Sequence, residues 1–315
     1  MKHGSIGLVL GSGSARGWSH IGIIRALAEA GVHPDFVCGS SIGALVGGAY
    51  ASGNLDALEE WVRKLTFWDV VKLMDVKLKG GLIEGANLID SFRDQVKDRV
   101  IERLDIPFAA VATDLGSGQE VWLQEGNLVE AVRASIALPG LFSPARIEER
   151  WLVDGGLVNP VPISLCRAMG AQFIIAVNLN SDIVGRHLTP RGRRDTGPKE
   201  EATPPSRDLF GQWMQQLNSG LRERALSAWR RERENGDETP GLFEVLASSI
   251  NIMQDRITKS RMAGDPPDLL LSPQLAQLGL LEFDRAEEAI AEGHACVQRV
   301  LPELERQLAR LRPGR

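Results

Sequence analysis

Short apolar runs that stop at a glycine or at a single carboxylate set the fold of this chain. Ile6–Leu10 stops at Gly11, Phe36–Cys38 at Gly39, Pro107–Thr113 at Asp114 and Arg150–Val153 at Asp154. Each has the length of a buried strand and is too short for a helix. The stretches between them are helical in character. Trp18–Ala30 carries Ile21, Ile24, Leu27 and Ala28 at helical spacing and is closed by Gly31. Ala44–Ala51 is small and helix-compatible, and Asn54 or Asp56 caps a helix with Leu58, Trp61, Val62 and Leu65. Further helices are expected over Ala86–Val96, Leu128–Ser135 and Pro162–Met169, before a strand at Phe173–Val177. Such alternation calls for an α/β fold, a three-layer α/β/α arrangement around a mainly parallel sheet. One return is antiparallel, where Gly116–Gly118 turns the chain into Glu120–Leu123.

Composition removes several function classes. A net charge of −5 over 315 residues argues against nucleic acid as a partner, since such binders carry a basic face. The 3 cysteines, Cys38, Cys166 and Cys296, lie far apart without zinc-ligand or CxxC spacing. They read as reduced, buried thiols, and no metal and no cofactor is called for. The apolar segment that follows Ser5 is only about six residues long, short of a signal h-region. No run approaches the roughly 18 apolar residues of a membrane span. The expectation is a cytoplasmic protein, with peripheral membrane contact and oligomeric state left open.

The chemistry concentrates where three predicted strands end, the place where open α/β sheets bind their ligands. Gly39-Ser40-Ser41-Ile42-Gly43 sets Ser41 between two glycines on a strand-to-helix turn. This nucleophile-elbow pattern pushes the hydroxyl out above the sheet edge, facing a helix N-terminus that favours negative charge. The second feature is the loop Gly11-Ser12-Gly13-Ser14-Ala15-Arg16-Gly17, whose backbone N–H groups can converge on an anion. In a hydrolase that anion is the tetrahedral oxyanion, and each donor is worth about 3 kcal/mol of transition-state stabilisation. Asp154 is the third, between an apolar strand and Gly155-Gly156, where a carboxylate is otherwise a poor choice. A serine hydroxyl needs a base within hydrogen-bond reach. Asp154 supplies it if burial raises its basicity. A Ser-Asp-His triad would have to draw on His187, in a polar loop, or His294, in a C-terminal helix. Both read better as surface or packing residues, so a direct dyad of Ser41 and Asp154 is preferred. His20 reads as packing near the glycine loop.

These three pieces, in this order and spacing, resemble the patatin-like phospholipases, especially their small bacterial members. The resemblance runs from about Ile6 to Leu179 and includes Arg133-Ala134-Ser135-Ile136-Ala137-Leu138-Pro139-Gly140 and Val153-Asp154-Gly155-Gly156-Leu157-Val158-Asn159-Pro160. It implies a patatin-like fold and a serine acyl-ester hydrolase acting on lipid or other acyl-ester substrates. It implies Ser41 as nucleophile, Asp154 as base and an oxyanion loop around Gly13–Arg16, with Gly11 and Gly17 at its ends. Ser12 departs from the pattern, standing where glycine is common.

Beyond residue 180 the pattern changes. Ser181–Arg207 is polar and reads as a flexible loop. Phe210, Trp213, Met214, Leu217, Leu221 and Ala225 then form an amphipathic stripe, followed by the charged break Arg230–Glu238, a helix over Leu242–Met262, a strand at Asp268–Leu271 and a helix over Asp284–Leu308. The expected organisation is a catalytic domain over 1–180, the loop 181–207, and a helical C-terminal extension over 208–315 with one late strand, packed on the catalytic domain. Thr66–Leu88 mixes Phe67, Trp68 and Leu73 with Lys72, Lys77, Lys79 and Gly80-Gly81, and reads as a partly mobile cap over the site or as an ordinary packed helix. Dinucleotide binding is disfavoured, because Gly11, Gly13 and Gly17 are spaced GxGxxxG and the next strand lacks a terminal acid. A regulatory protein binding partners through Phe210–Trp229, and an acyltransferase working through the same acyl-serine, are the remaining alternatives.

Overall fold

The computed structural model describes residues 4–66, 68–70, 86–96, 99–139, 141–181 and 242–311. Met1–His187 and Ser249–Arg315 form one compact unit. Of the second unit, Leu188–Ser248, the described part is the helical stretch 242–248. The expected cap, the loop 181–207 beyond its first residue and the stripe at Phe210–Trp229 lie largely or wholly outside the described residues.

Among the described residues eight strands form a single sheet: β1 (Ile6–Leu10), β2 (Phe36–Ser40), β3 (Phe108–Asp114), β4 (Glu120–Leu123), β5 (Ala145–Ile147), β6 (Arg150–Asp154), β7 (Phe173–Val177) and β8 (Leu269–Leu271). The strands β3, β2, β1, β7 and β8 run parallel in that spatial order, while β4 and β6 each pair antiparallel with β3 and β5 pairs antiparallel with β6. The mainly parallel sheet expected from the strand–helix alternation is therefore present. Helices follow as α1 (Ser19–Glu29), α2 (Ile42–Ala51), α3 (Leu55–Arg63), α4 (Ala86–Val96), α5 (Leu128–Ser135), α6 (Ile163–Ala168), α7 (Leu242–Gly264) and α8 (Ala286–Leu311).

Alternation along the strands divides the core into two layers. Leu8, Leu10, Phe108, Ala110 and Ala112 face one side, against apolar residues of α1, α2, α3, α5 and α8. Val9, Cys38, Ala109 and Val111 face the other, against Ile163, Leu165 and Cys166 of α6, with Met262 of α7 packed alongside. Every residue of β1 and β7 is buried, as central strands covered on both faces require. The late strand β8 joins the sheet edge beside β7, so the chain after residue 249 contributes to the same sheet as the N-terminal part. No helix among the described residues is long and apolar enough to cross a membrane.

Candidate active site

Strand β3 acts as a ruler for the site. Its residues Phe108–Val111 pair with β2, ending at Val111 beside Ser40. Its residues Ala112–Asp114 pair with β6, whose last residue Asp154 lies beside Ala112. Strand β4 pairs across Ala110–Thr113 and so takes the opposite edge along that whole stretch. Strands β2 and β6 therefore share one edge of β3 and run toward each other, their C-terminal ends meeting at consecutive ruler positions. This register brings Ser41 and Asp154 together although they are 113 residues apart in sequence.

The Ser41 hydroxyl donates to Asp154 Oδ2 at 2.5 Å. Ser41 adopts φ 56° and ψ −125°, outside the regions favoured by residues with side chains. Such a conformation costs about 1–3 kcal/mol and persists only where its surroundings impose it. They do so here. A Cβ on Gly43 would stand 2.0 Å from the Leu10 carbonyl oxygen, so only glycine lets α2 start that close to β1. The Ser41 N–H donates to Ser135 Oγ at 2.9 Å, and that hydroxyl donates in turn to the Val111 carbonyl at 2.6 Å. Gly39 is likewise pressed against the first turn of α2, with a Cβ position 2.4 Å from Ala44 N.

Asp154 is fully buried. Its Oδ1 accepts the Gly156 N–H at 2.7 Å, its own N–H donates to the Ala137 carbonyl at 3.0 Å, and its carbonyl accepts the Thr113 hydroxyl at 2.8 Å. Burial pushes the carboxyl up to about 7, against the opposing pull of the hydrogen bonds from Ser41 and Gly156. A Cβ on Gly155 would lie 2.1 Å from the Val111 carbonyl oxygen, which accounts for glycine directly after the acid.

The glycine loop lies beside this pair, with Ser14–Trp18 in a 3-10 turn leading into α1. Its N–H groups differ in what they do. Ser12 donates to the Pro160 carbonyl at 2.8 Å and Ala15 to the Leu280 carbonyl at 3.1 Å. Gly13 and Ser14 have no acceptor for their N–H groups among the described residues, and both line the cleft that contains Ser41. Gly17 packs against Ile42, and the Gly11 carbonyl bonds to His20 Nε2 at 2.8 Å. Burial drives His20 down to about 4, so the ring is neutral and donates through Nε2, while Nδ1 has no partner among the described residues. The Arg16 side chain turns inward rather than toward solvent. Its Nε donates to the Gly13 carbonyl and its Nη2 to Asn251 Oδ1, both at 3.1 Å, and desolvation lowers it to about 9.

The cleft above Ser41 encloses about 550 Å³, part of it open to solvent. Leu45, Ile136, Leu138, Leu141, Phe142 and Phe283 give it an apolar wall. Asn251 and Gln254 of α7 add polar groups. Of the histidines weighed for a triad, His294 Nε2 pairs with Glu29 Oε2 at 2.8 Å, whereas both Asp154 oxygens are taken by Ser41 and Gly156. His187 lies outside the described residues. Ser135, Asn251 and Gln254 carry no periodic or spacing signal that would mark them in the sequence. Ser135 alone sits in a stretch already singled out, at the end of an otherwise ordinary amphipathic helix.

Fold and site together define an α/β protein with a serine on a strand-to-helix elbow facing a buried carboxylate. The profile of the patatin-like phospholipase family matches residues 8–167. Over 346 aligned residues the chain is 34% identical to an uncharacterized NTE family protein of Mycobacterium tuberculosis, covering 95% of this chain and 92% of that one. It is 36% identical over 186 residues to the patatin-like phospholipase domain-containing protein 6 of Homo sapiens, covering 56% of this chain and 13% of that protein. The structure of VipD from Legionella pneumophila superposes with a TM-score of 0.45 at 13% identity, over 96% of this chain and 67% of that one. The chain belongs to the patatin-like phospholipase family.

Proposed function

We propose that the protein is a serine acyl-ester hydrolase acting on lipid substrates, with Ser41 as nucleophile and Asp154 as base. The observation that carries this reading is the 2.5 Å contact from the Ser41 hydroxyl to a carboxylate oxygen buried at the end of β6. A carboxyl held near 7 is a far better base at neutral pH than one at its ordinary value.

In the first step Ser41 Oγ attacks the ester carbonyl carbon while Asp154 Oδ2 takes its proton. The carbonyl oxygen becomes the oxyanion and is met by the free N–H groups of Gly13 and Ser14. The oxyanion assignment thus narrows from the whole loop Gly11–Gly17 to two residues, because Ala15 spends its N–H on Leu280 and Arg16 acts through its buried side chain. The positive end of α2 and the buried Arg16 guanidinium favour the same charge. Collapse of the intermediate breaks the bond to the alcohol oxygen, which leaves with the proton held by Asp154. Water then attacks the acyl-serine, its proton passing to Asp154, and the second collapse returns that proton to Ser41 and frees the carboxylic acid. The apolar wall of Leu138, Leu141 and Phe142 suits an acyl chain. The setting we propose is the cytoplasm, with the substrate reached from a membrane surface or from dispersed lipid.

Labelling with a fluorophosphonate followed by mass mapping tests this reading directly. The expected result is a single modified residue, Ser41, with labelling lost in Ser41→Ala and strongly reduced in Asp154→Asn. Modification elsewhere, or unimpaired ester turnover in either variant, would remove the dyad.

A further inference from the structure

Helix α7 brings Asn251, 8% exposed, to the wall of the cleft that holds Ser41, Gly13 and Ser14. A guanidinium only donates, so the contact from Arg16 Nη2 at 3.1 Å settles which end of the carboxamide faces inward: the oxygen does. The amide nitrogen, with two N–H bonds, has no acceptor among the described residues, and it belongs to a residue that lines the cleft. Gln254 Oε1 accepts from Asn180 Nδ2 at 3.0 Å, but an amide partner does not fix its orientation as a guanidinium does. Among the described residues no lysine, arginine, aspartate or glutamate lines this cleft. What its described residues offer a bound ester is therefore an apolar wall and a group of hydrogen-bond donors without a full charge.

We propose that Asn251 is a specificity-determining residue: its amide nitrogen donates to an oxygen acceptor on the alcohol side of the ester. The inference rests on the hydrolase reading above and names the substrate class within it. An acyl chain has no acceptor beyond the reacting carbonyl, which Gly13 and Ser14 meet, and the bridging oxygen is a weak acceptor that every ester shares, so only a further oxygen of the alcohol portion discriminates. A second ester carbonyl or a phosphodiester oxygen fits, as in glycerolipids. An ester of a plain hydrocarbon alcohol leaves the Asn251 N–H groups with that weak acceptor alone in a cleft that substrate has emptied of water, a penalty of the kind that makes polar pockets selective.

The test is a ratio of kcat/KM values, measured on an acyl glyceryl diester, an acyl glycerophosphodiester and an acyl ester of a hydrocarbon alcohol with matched chains. Wild type is expected to favour both acceptor-bearing esters by about tenfold over the hydrocarbon one. Asn251→Asp keeps an oxygen for Arg16 but replaces the donor with an acceptor, and the expected result is loss of that preference. Any weakening of the oxyanion site by the new charge affects all three esters alike and cancels in the ratio, but the new carboxylate also repels the phosphodiester, so the two neutral esters decide this variant. If the glyceryl diester and the hydrocarbon ester fall by the same factor, Asn251 acts only by holding Arg16, and the proposal is overturned. A wild type without preference overturns it with no variant needed. Preference for one acceptor-bearing ester alone identifies whether the oxygen belongs to a carboxylic or a phosphoric ester and upholds the assignment. A wild type that turns over none of the three and resists fluorophosphonate instead defeats the hydrolase reading, and this inference with it.

Discussion

The Ser135 hydroxyl accepts the Ser41 N–H at 2.9 Å while donating to the Val111 carbonyl at 2.6 Å, so a side chain from α5 ties the elbow to the strand that aligns it. Both backbone groups face a buried hydroxyl, and both depend on that one oxygen. Only serine or threonine can donate and accept from this position.

Ser135→Ala therefore leaves a buried donor and a buried acceptor without partners, at a cost of about 1–3 kcal/mol for each group. The same change frees Ser41 to relax from its positive φ. The expected outcome is a lower denaturation midpoint together with a kcat reduced by about tenfold or more, KM staying nearly constant because the cleft wall is untouched. Ser135→Thr should recover part of kcat. A variant that loses stability but keeps wild-type kcat would show that the hydroxyl serves folding alone.

The role proposed for Asp154 predicts a definite pH profile. The proposed base must be ionised to accept the Ser41 proton, and burial holds its carboxyl near 7. The expected kcat/KM for a neutral ester falls as pH drops through about 7, with the slope of a single ionisation. Asp154→Asn should lower the plateau by about 10²–10⁴-fold and abolish the inflection near 7, because the titrating group is gone. A midpoint near the ordinary carboxylate range in wild type would mean that the site is more solvated than its packing implies.

How far the sequence disclosed this site depends on the kind of constraint involved. Ser41, Asp154 and the flanking glycines were legible because backbone geometry leaves a residue-type trace: glycine where a Cβ would strike Leu10 or Val111, and a lone acid after an apolar strand. The parallel core strands were legible because burial on both faces demands continuous apolar runs. Strand β5 was not, since Ala145–Ile147 is short, half-exposed and held only by pairing with β6. The free donors of Gly13 and Ser14 were indistinguishable from the occupied ones of Ser12 and Ala15, because the acceptors, Pro160 and Leu280, lie far along the chain. The polar arm of α7 was hidden for the same reason: Asn251 meets Arg16 across 235 residues.

Gly43 offers a clean contrast with a glycine that is only a turn former. A Cβ at Gly43 would sit 2.0 Å from a carbonyl oxygen of β1, and neither β1 nor α2 can yield without disturbing the core. A Cβ at Gly31, with φ 70°, meets nothing within 4 Å. Gly31→Ala is expected to cost about 1 kcal/mol, the penalty for an alanine in the left-handed region. Gly43→Ala should cost well over 3 kcal/mol or prevent folding, as overpacking against fixed backbone does. Urea denaturation of the two variants separates the cases, and equal losses would contradict the close approach of α2 to β1.

Two buried groups, Asp154 and His20, make opposite contributions to stability over one pH interval. The Asp154 carboxyl rises from 3.8 to about 7 on folding, so the native state holds an extra proton between those values. Its contribution is fully present below the unfolded value and is lost as pH rises through about 7. His20 falls from 6.5 to about 4 on folding, so here the unfolded chain holds the extra proton. That contribution is present above 6.5 and is lost as pH falls through about 4. Between about 4 and 6.5 the two slopes oppose each other, each on the order of 1 kcal/mol per pH unit. Wild-type stability should be nearly flat there as far as this pair is concerned. Asp154→Asn removes one slope and should leave stability rising with pH across the interval. His20→Gln removes the other and should leave it falling toward pH 7. Denaturation free energies measured at several pH values for the three proteins decide the matter, and curves that merely run parallel would mean that neither group is as dry in solution as its surroundings indicate.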